Sequence, residues 1–443
     1  MSTEHKIVVF ANVIFEQHGN QSVKNFIEGL LQKNHKVMFL TVHPQESDSM
    51  REFMSHNPNF TVKYLQVKES LVKVAKHKSS LKQGLKRSIK RMLGYRKLAS
   101  NSEINQWFSL LNTYKILRRI GSYITNGDIS KLLLDSEKIV FIDVFGGIVS
   151  KYIRLVYPEI WNRIEHKTVG YYLGTVMKQF RGNKIFAFLG MPISFFGSYK
   201  LPSKRLIITD DGTDGEQVFK NMMEYKDSVL FIRNGIDDQL YKYELATTKT
   251  INLASTLLFV TSSRLTRWKR IDRAIKFVYL ISRLTNHIVH LTIIGEGEER
   301  ESLENLVAKL RFANHVTFTG GLEYQKALDQ ITKNSFYIIC NELSNLGNQV
   351  FEGIMLELIP LTIDDGSTDS LLRNGYNSIK FPMCADFERN AARIFVSWLD
   401  DHNLHMLKQN LCETKSHVFT WRERNRFEHD FMFGDVQAEA GIL

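Results

Sequence analysis

Arg264 and Lys269 stand five residues apart around Trp268, after the apolar run Leu257-Leu258-Phe259-Val260 and before a stretch of helical spacing. Two cations leaving the carboxyl end of a parallel strand can neutralise a pyrophosphate, because their N–H groups form charge-assisted hydrogen bonds with phosphate oxygens. By spacing alone, a solvated basic pair is the default reading. A second segment, Ser344-Asn345-Leu346-Gly347-Asn348-Gln349-Val350-Phe351-Glu352, follows the apolar run Phe336 to Cys340 and leads into an apolar helix. Free backbone N–H groups near Gly347 and Asn348 at such a helix N-terminus favour phosphate. Glu352, about one turn in, is suited to accept hydrogen bonds from two ribose hydroxyls, since an ionised carboxylate only accepts. Standing alone, it would read as an exposed first-turn acid that stabilises the helix dipole.

Other constellations carry less. Asp210-Asp211 and Asp364-Asp365 each sit beside a glycine, and turn chemistry favours Asp-Gly without any metal. Gly295-Glu296-Gly297 reads as a strand-to-helix turn, and a glycine pair is poor evidence for phosphate binding. The histidines include no pair at zinc-site spacing with supporting cysteines, so no metal is expected. Nothing suggests a nucleophilic triad.

A chain of 443 residues is too long for one hydrophobic core, and two domains are expected. The net charge of +11 favours phosphate-rich partners without choosing among nucleotides, anionic lipids and nucleic acid. Cys340, Cys384 and Cys412 are odd in number, fall in no metal-ligand pattern and follow no signal peptide, which fits a reducing cytoplasm. No apolar run is long enough to span a bilayer; the nearest, Ile185 to Tyr199, is broken by Gly190, Pro192 and Gly197 and reads as buried or interfacial, the buried reading being favoured.

The elements that must position these residues form two β/α series. The first opens with a strand at Ile7 to Ala11, a polar loop at His18-Gly19-Asn20, and a helix with Val23, Phe26, Ile27, Leu30 and Leu31 on one face. Further strands are expected at Val37 to Val42, Ile139 to Val144, Thr168 to Leu173 and Leu206 to Thr209. The second series begins at Leu257 and continues with strands at Val289 to Ile294, Val316 to Thr319, Phe336 to Cys340 and Leu361 to Ile363. Helices with Ile271, Ala274, Ile275 and Val278, and with Leu303, Leu306, Val307 and Leu310, lie between them. The class is therefore α/β, with two Rossmann-like domains joined near Asn234 to Thr256 and ligands in the cleft beyond the strands' carboxyl ends.

Lys63 to Lys97 is rich in cations, with Leu71, Val74, Leu81, Leu85, Ile89 and Leu93 at near-helical spacing. A basic amphipathic helix on an anionic membrane and a solvated helix face are both open readings. No recognition motif points to nucleic acid.

Four blocks in order, Arg264 to Lys269, Ile293 to Gly297, Val316 to Gly320 and Ser344 to Glu352, resemble the signature of the GT-B glycosyltransferases of family 4. Asn234-Gly235-Ile236-Asp237 resembles that family's interdomain block, and Thr209-Asp210-Asp211-Gly212-Thr213 an N-domain loop of a bacterial surface-glycan subgroup. The resemblance implies two Rossmann-like domains facing a cleft. Residues 1–235 would form the acceptor-side domain, 236–415 the nucleotide-sugar domain, and 416–443 a terminal helix packing back on the first domain, with Trp421 as its apolar anchor. A helix resting on its own domain is the alternative.

The resemblance further implies retaining transfer of a sugar from a nucleoside diphosphate, UDP being the expected carrier, without a cofactor or bound metal. Arg264 and Lys269 would be the catalytic residues, stabilising charge on the leaving diphosphate. The donor would contact Gly19, Ser344, Asn345, Leu346, Gly347, Asn348 and Glu352, with the distal phosphate beyond Gly347 and the ribose at Glu352. Ser344 stands where many relatives carry a glutamate, which excludes carboxylate participation from that position. No N-domain histidine facing the sugar is securely placed. The expected partners are the nucleotide sugar, a glycan, lipid-linked or protein acceptor, and an anionic membrane surface at the cytoplasmic face, in cell-surface polysaccharide or glycoconjugate synthesis. A nucleotide-binding relative that has lost turnover and acts as a partner protein or scaffold is the alternative.

Overall fold

The computed structural model describes residues 4–12, 21–42, 47–65, 110–174, 203–213, 215, 228–243 and 256–434. Gly19, most of the basic stretch after Lys63, and the apolar run Ile185 to Tyr199 lie outside them.

The described residues form two wholly parallel sheets. The first contains β1 (Lys6–Phe10), β2 (Lys36–Thr41), β3 (Phe60–Tyr64), β4 (Lys138–Ile142), β5 (Thr168–Tyr172), β6 (Arg205–Asp210) and β7 (Ser228–Arg233), in the spatial order β3-β2-β1-β4-β5-β6-β7. The second contains β8 (Thr256–Ser262), β9 (Ile288–Ile294), β10 (Val316–Gly320), β11 (Phe336–Ile339), β12 (Ile359–Asp364) and β13 (Ile379–Pro382), in the order β10-β9-β8-β11-β12-β13. Both are the Rossmann-like sheets expected from the sequence. Central strands such as β1, β5 and β11 are apolar along their length because helices cover both faces of a parallel sheet.

The sequence reading contains none of β3, β7 and β13, and all three are edge strands. In β3 and β13 polar residues interrupt the apolar ones, so neither shows an apolar run, whereas β7 holds the run Val229 to Ile232. The expected strand Ile139 to Val144 ends earlier, at Ile142. Asp143 turns the chain into a helix with φ 51°, and its carboxylate accepts the Leu173 N–H at 2.9 Å.

Met1–Asp210, Asp214–Arg233 and Arg422–Leu443 form one compact unit, and Asp211–Thr213 with Asn234–Trp421 form the other. In the first, the helix Trp421–Phe433 buries Arg424, Glu428, Phe431 and Met432, whereas Trp421 itself is only partly buried. Arg424 is fully buried: its Nε donates to Glu428 Oε1 at 2.8 Å, Nη1 to the Arg233 carbonyl at 2.9 Å, and Nη2 to Tyr171 and Thr209 hydroxyls at 2.9 and 2.8 Å. The helix is held by a charged network at its centre where the sequence suggested an aromatic anchor at its start.

In the second unit the core splits by strand parity, since successive side chains point to opposite faces. Phe259, Phe336 and Ile338 pack with the helices Ile271–Leu284 and Phe387–Ser397, while Val260, Tyr337 and Ile339 pack with Tyr324–Ile331 and Asn348–Met355. No helix among the described residues is long and apolar enough to cross a membrane.

Candidate functional site

Strand order reverses in the second sheet between β8 and β11, which are neighbours although far apart in sequence. Chain leaving these two strands at their carboxyl ends diverges to opposite sides, and ligands of open α/β sheets bind in the resulting crevice. The loop after β8 carries Arg264 and Lys269, and the loop after β11 carries Ser344 to Gly347. The two segments singled out by residue type are thus adjacent at the switch point of one sheet.

The β8 loop is shaped by the glycine block. Ser263 N–H bonds the Ile294 carbonyl at 3.0 Å, Leu265 N–H bonds Glu296 at 2.8 Å, and Gly295 N–H bonds Gly320 at 2.9 Å. Gly295 has φ 134°, and a Cβ there would stand 1.9 Å from the Ser263 carbonyl oxygen; one at Gly297 would stand 2.4 Å from that of Leu265. These glycines let two backbones touch, a packing role that ties the second and third blocks to the first. Leu265 is fully buried between exposed Arg264 and partly buried Thr266, so it pins the loop while Arg264 faces outward.

Lys269 ends a 3₁₀ turn, Arg267–Lys269, with its ammonium 4.1 Å from the centre of the Trp268 ring. Desolvation, helped by repulsion from Arg264 and opposed by Asp211, lowers its pKa to about 8. A lysine held among protein atoms beside a second cation gains an anionic partner at small further desolvation cost, which is what a phosphate site requires.

The β11 loop is organised by amides. Asn341 Nδ2 donates to the Ser344 carbonyl at 3.1 Å, Asn345 Nδ2 to the Asn341 carbonyl at 3.2 Å, and Gln349 Nε2 to the Ser262 carbonyl at 2.6 Å. Ser344 sits at φ 53°. The Leu346 N–H donates to the Asp211 carbonyl at 3.2 Å and its side chain is fully buried, so both are committed to protein. Gly347, in extended backbone, caps the helix Asn348–Met355, and a Cβ there would meet nothing within 4 Å. The space before this N-terminus is open, and the amides of Asn348 and Gln349 have no carbonyl within their helix to bond.

Glu352 lies on the buried face of that helix, contrary to an exposed first-turn acid. Its Oε2 accepts the Tyr337 hydroxyl at 2.7 Å, and burial raises its pKa while that bond lowers it. Burial also raises the Tyr324 pKa, with Glu352 and Asp237 adding to the effect. Tyr337, Asn341 and Gln349 are the site residues that sequence reasoning missed. A tyrosine inside an otherwise apolar strand was the available signal, because a buried phenol needs a hydrogen-bond partner.

The two aspartate pairs are turns. Asp211 Oδ1 accepts the Thr213 N–H at 3.1 Å, and Asp365 Oδ1 accepts the Ser367 N–H at 3.0 Å; each carboxylate also accepts the hydroxyl of the same residue. Gly212 and Gly366 follow at φ 80° and 81°. Among the described residues no three His, Cys, Asp or Glu cluster as metal ligands.

Two Rossmann-like domains, with basic and helix-N-terminal groups at the switch point of the second, define the GT-B class of glycosyltransferase folds. Residues 249–410 match the model of the family described as glycosyl transferases group 1, and this segment holds every candidate residue of the second unit described above except Asp211 and Asp237. A search of the curated proteins found no match. Among solved structures the chain is similar to HepE of Anabaena in complex with UDP and glucose, at 12% identity and TM-score 0.62 over 97% of this chain and 100% of that one. Sucrose-phosphate synthase of Thermosynechococcus elongatus aligns at 13% identity and TM-score 0.65 over 96% and 98%. TarM of S. aureus, in complex with fondaparinux, α-GlcNAc-glycerol and UDP, aligns at 11% identity and TM-score 0.59 over 97% and 100%.

Proposed function

We propose that this protein is a retaining glycosyltransferase that moves a sugar from a nucleoside diphosphate, UDP being the first candidate, to a glycan, lipid-linked or protein acceptor. The observation that carries the reading is the meeting of Arg264, Lys269 and the helix N-terminus at Gly347 around the β8–β11 switch point. In this reading the cations and the amides of Asn348 and Gln349 hold the diphosphate and absorb the negative charge that grows on it as the glycosidic bond breaks, the point at which preorganised dipoles lower a barrier most. Glu352, steadied by Tyr337, accepts hydrogen bonds from the ribose. Ser344 and Asn345 lie under the sugar, with the Asn345 side chain buried beneath the loop and its Nδ2 donating to the Asn341 carbonyl. No metal or other cofactor is assigned a role.

A panel of UDP-, GDP- and ADP-sugars, assayed for nucleoside diphosphate release with and without glycan acceptors, tests the reading. NMR of the product anomer distinguishes retention from inversion. Nucleotide binding without release from any donor would favour the alternative, a nucleotide-binding partner protein, which the neutral hydroxyl of Ser344 motivates. The membrane reading, at the cytoplasmic face and in surface-glycan synthesis, predicts binding to anionic vesicles that added salt weakens. Absence of binding at every salt concentration removes it.

A further inference from the structure

Arg270 closes the β8 loop with φ 52°, in the left-handed region where a side-chain-bearing residue carries strain. A glycine would take this backbone freely, so what arginine adds is its side chain. Its Nε and Nη2 donate to Asp272 Oδ1 and Oδ2 at 2.9 and 3.0 Å, and its Nη1 donates to Glu342 Oε1 at 2.7 Å. Asp272 lies in the first turn of the helix that follows the β8 loop, and Glu342 lies in the loop after β11. One planar guanidinium therefore spans both sides of the switch point. The backbone repeats the link, with the Glu342 N–H bonding the Trp268 carbonyl at 2.9 Å. Single exposed ion pairs contribute little, but a fork held by two carboxylates with the arginine side chain only 18% exposed is the geometry in which they count.

We propose that the Arg270–Glu342 pair is a positioning clamp that sets Lys269 against the helix N-terminus at Gly347, so that one diphosphate engages both. The inference rests on the donor-site reading above, and neither clamp residue touches the ligand in it. Arg270 and Glu342 act through Lys269 and the Ser344–Gly347 turn.

The test uses Arg270→Gly, Glu342→Gln, the double variant and Arg270→Lys. Amide hydrogen exchange reads residues 264–269 and 341–349 in the free protein, and calorimetry reads the affinity for UDP, ADP and GDP. Arg270→Gly removes the side chain and the strain together, so strain relief offsets part of the lost ion pairs and its unfolding midpoint should change little. The clamp predicts faster exchange in both segments for either single variant, and affinity for the preferred nucleotide weakened roughly fivefold, with the double variant no worse than the singles. Arg270→Lys should recover only part of the loss, because an ammonium cannot fork between two carboxylates. Faster exchange confined to the substituted loop, or additive losses in the double variant, overturns the clamp. Coupled exchange in a protein that binds none of the three nucleotides supports the mechanical link and sinks the diphosphate reading instead.

Discussion

The Tyr337 hydroxyl donates to Glu352 Oε2 at 2.7 Å across the interface between β11 and the helix Asn348–Met355. This one bond fixes the carboxylate that the donor reading assigns to ribose. It also leaves an acid buried at a cost, since burial holds its pKa above the usual value.

That cost sets the sign of the first prediction. A carboxyl whose folded pKa is raised contributes stability below its unfolded pKa and loses it as pH rises through the folded pKa. Glu352→Gln keeps an acceptor for Tyr337 and removes the charge, so at neutral pH it should stabilise the protein by about 1 kcal/mol. Nucleotide affinity should fall about tenfold. Thermal unfolding and calorimetric titration with UDP check both, and the stability gain should shrink as pH is lowered.

Lys269, with a pKa of about 8, predicts diphosphate affinity that declines as pH rises through that value in the free protein. Lys269→Arg keeps its charge and should flatten the profile up to about pH 10, whereas Lys269→Ala should weaken binding at every pH. A wild-type profile that stays level between about pH 7 and 10 would contradict the role.

At the amino edge of the first sheet, hydrogen bonds fix the tautomers of two histidines. The His5 N–H donates to His35 Nδ1 at 3.3 Å, so His35 carries its proton on Nε2 and donates to His429 Nε2 at 3.0 Å. His429 then donates from Nδ1 to Asp430 Oδ1 at 3.3 Å. Protonating either ring breaks a link. Desolvation first, then His429, His5 and Lys33, lower the His35 pKa to about 4, against the pull of Glu137. A histidine with a depressed folded pKa contributes stability above 6.5 that is lost as pH falls towards about 4. Hydrogen-exchange protection in the last turns of the helix Trp421–Phe433, taken relative to the intrinsic exchange rate at each pH, should therefore fall over that window, and His35→Gln should remove most of that pH dependence.

Arg424 and Glu428 are both buried, so removing one partner leaves the other uncompensated. Arg424→Met should destabilise the first unit by about 3–5 kcal/mol, and adding Glu428→Gln should recover much of the loss. Chemical denaturation of the two variants measures the difference. A single variant as stable as the wild type would mean that the network contributes nothing.

The α/β class, the two series of elements and the blocks from Arg264 to Glu352 were legible in the sequence because buried parallel strands read as apolar runs and loops at their carboxyl ends carry the chemistry. The short edge strands Phe60–Tyr64 and Ile379–Pro382 were not, since polar residues interrupt their apolar ones. What only the tertiary structure decided was which groups meet. Strand order makes β8 and β11 neighbours, and hydrogen bonds join Arg270 to Glu342, Tyr337 to Glu352 and Leu346 to Asp211. Each pair is separated in sequence, and its contact depends on how the chain crosses between strands, which residue types and spacing do not encode by themselves.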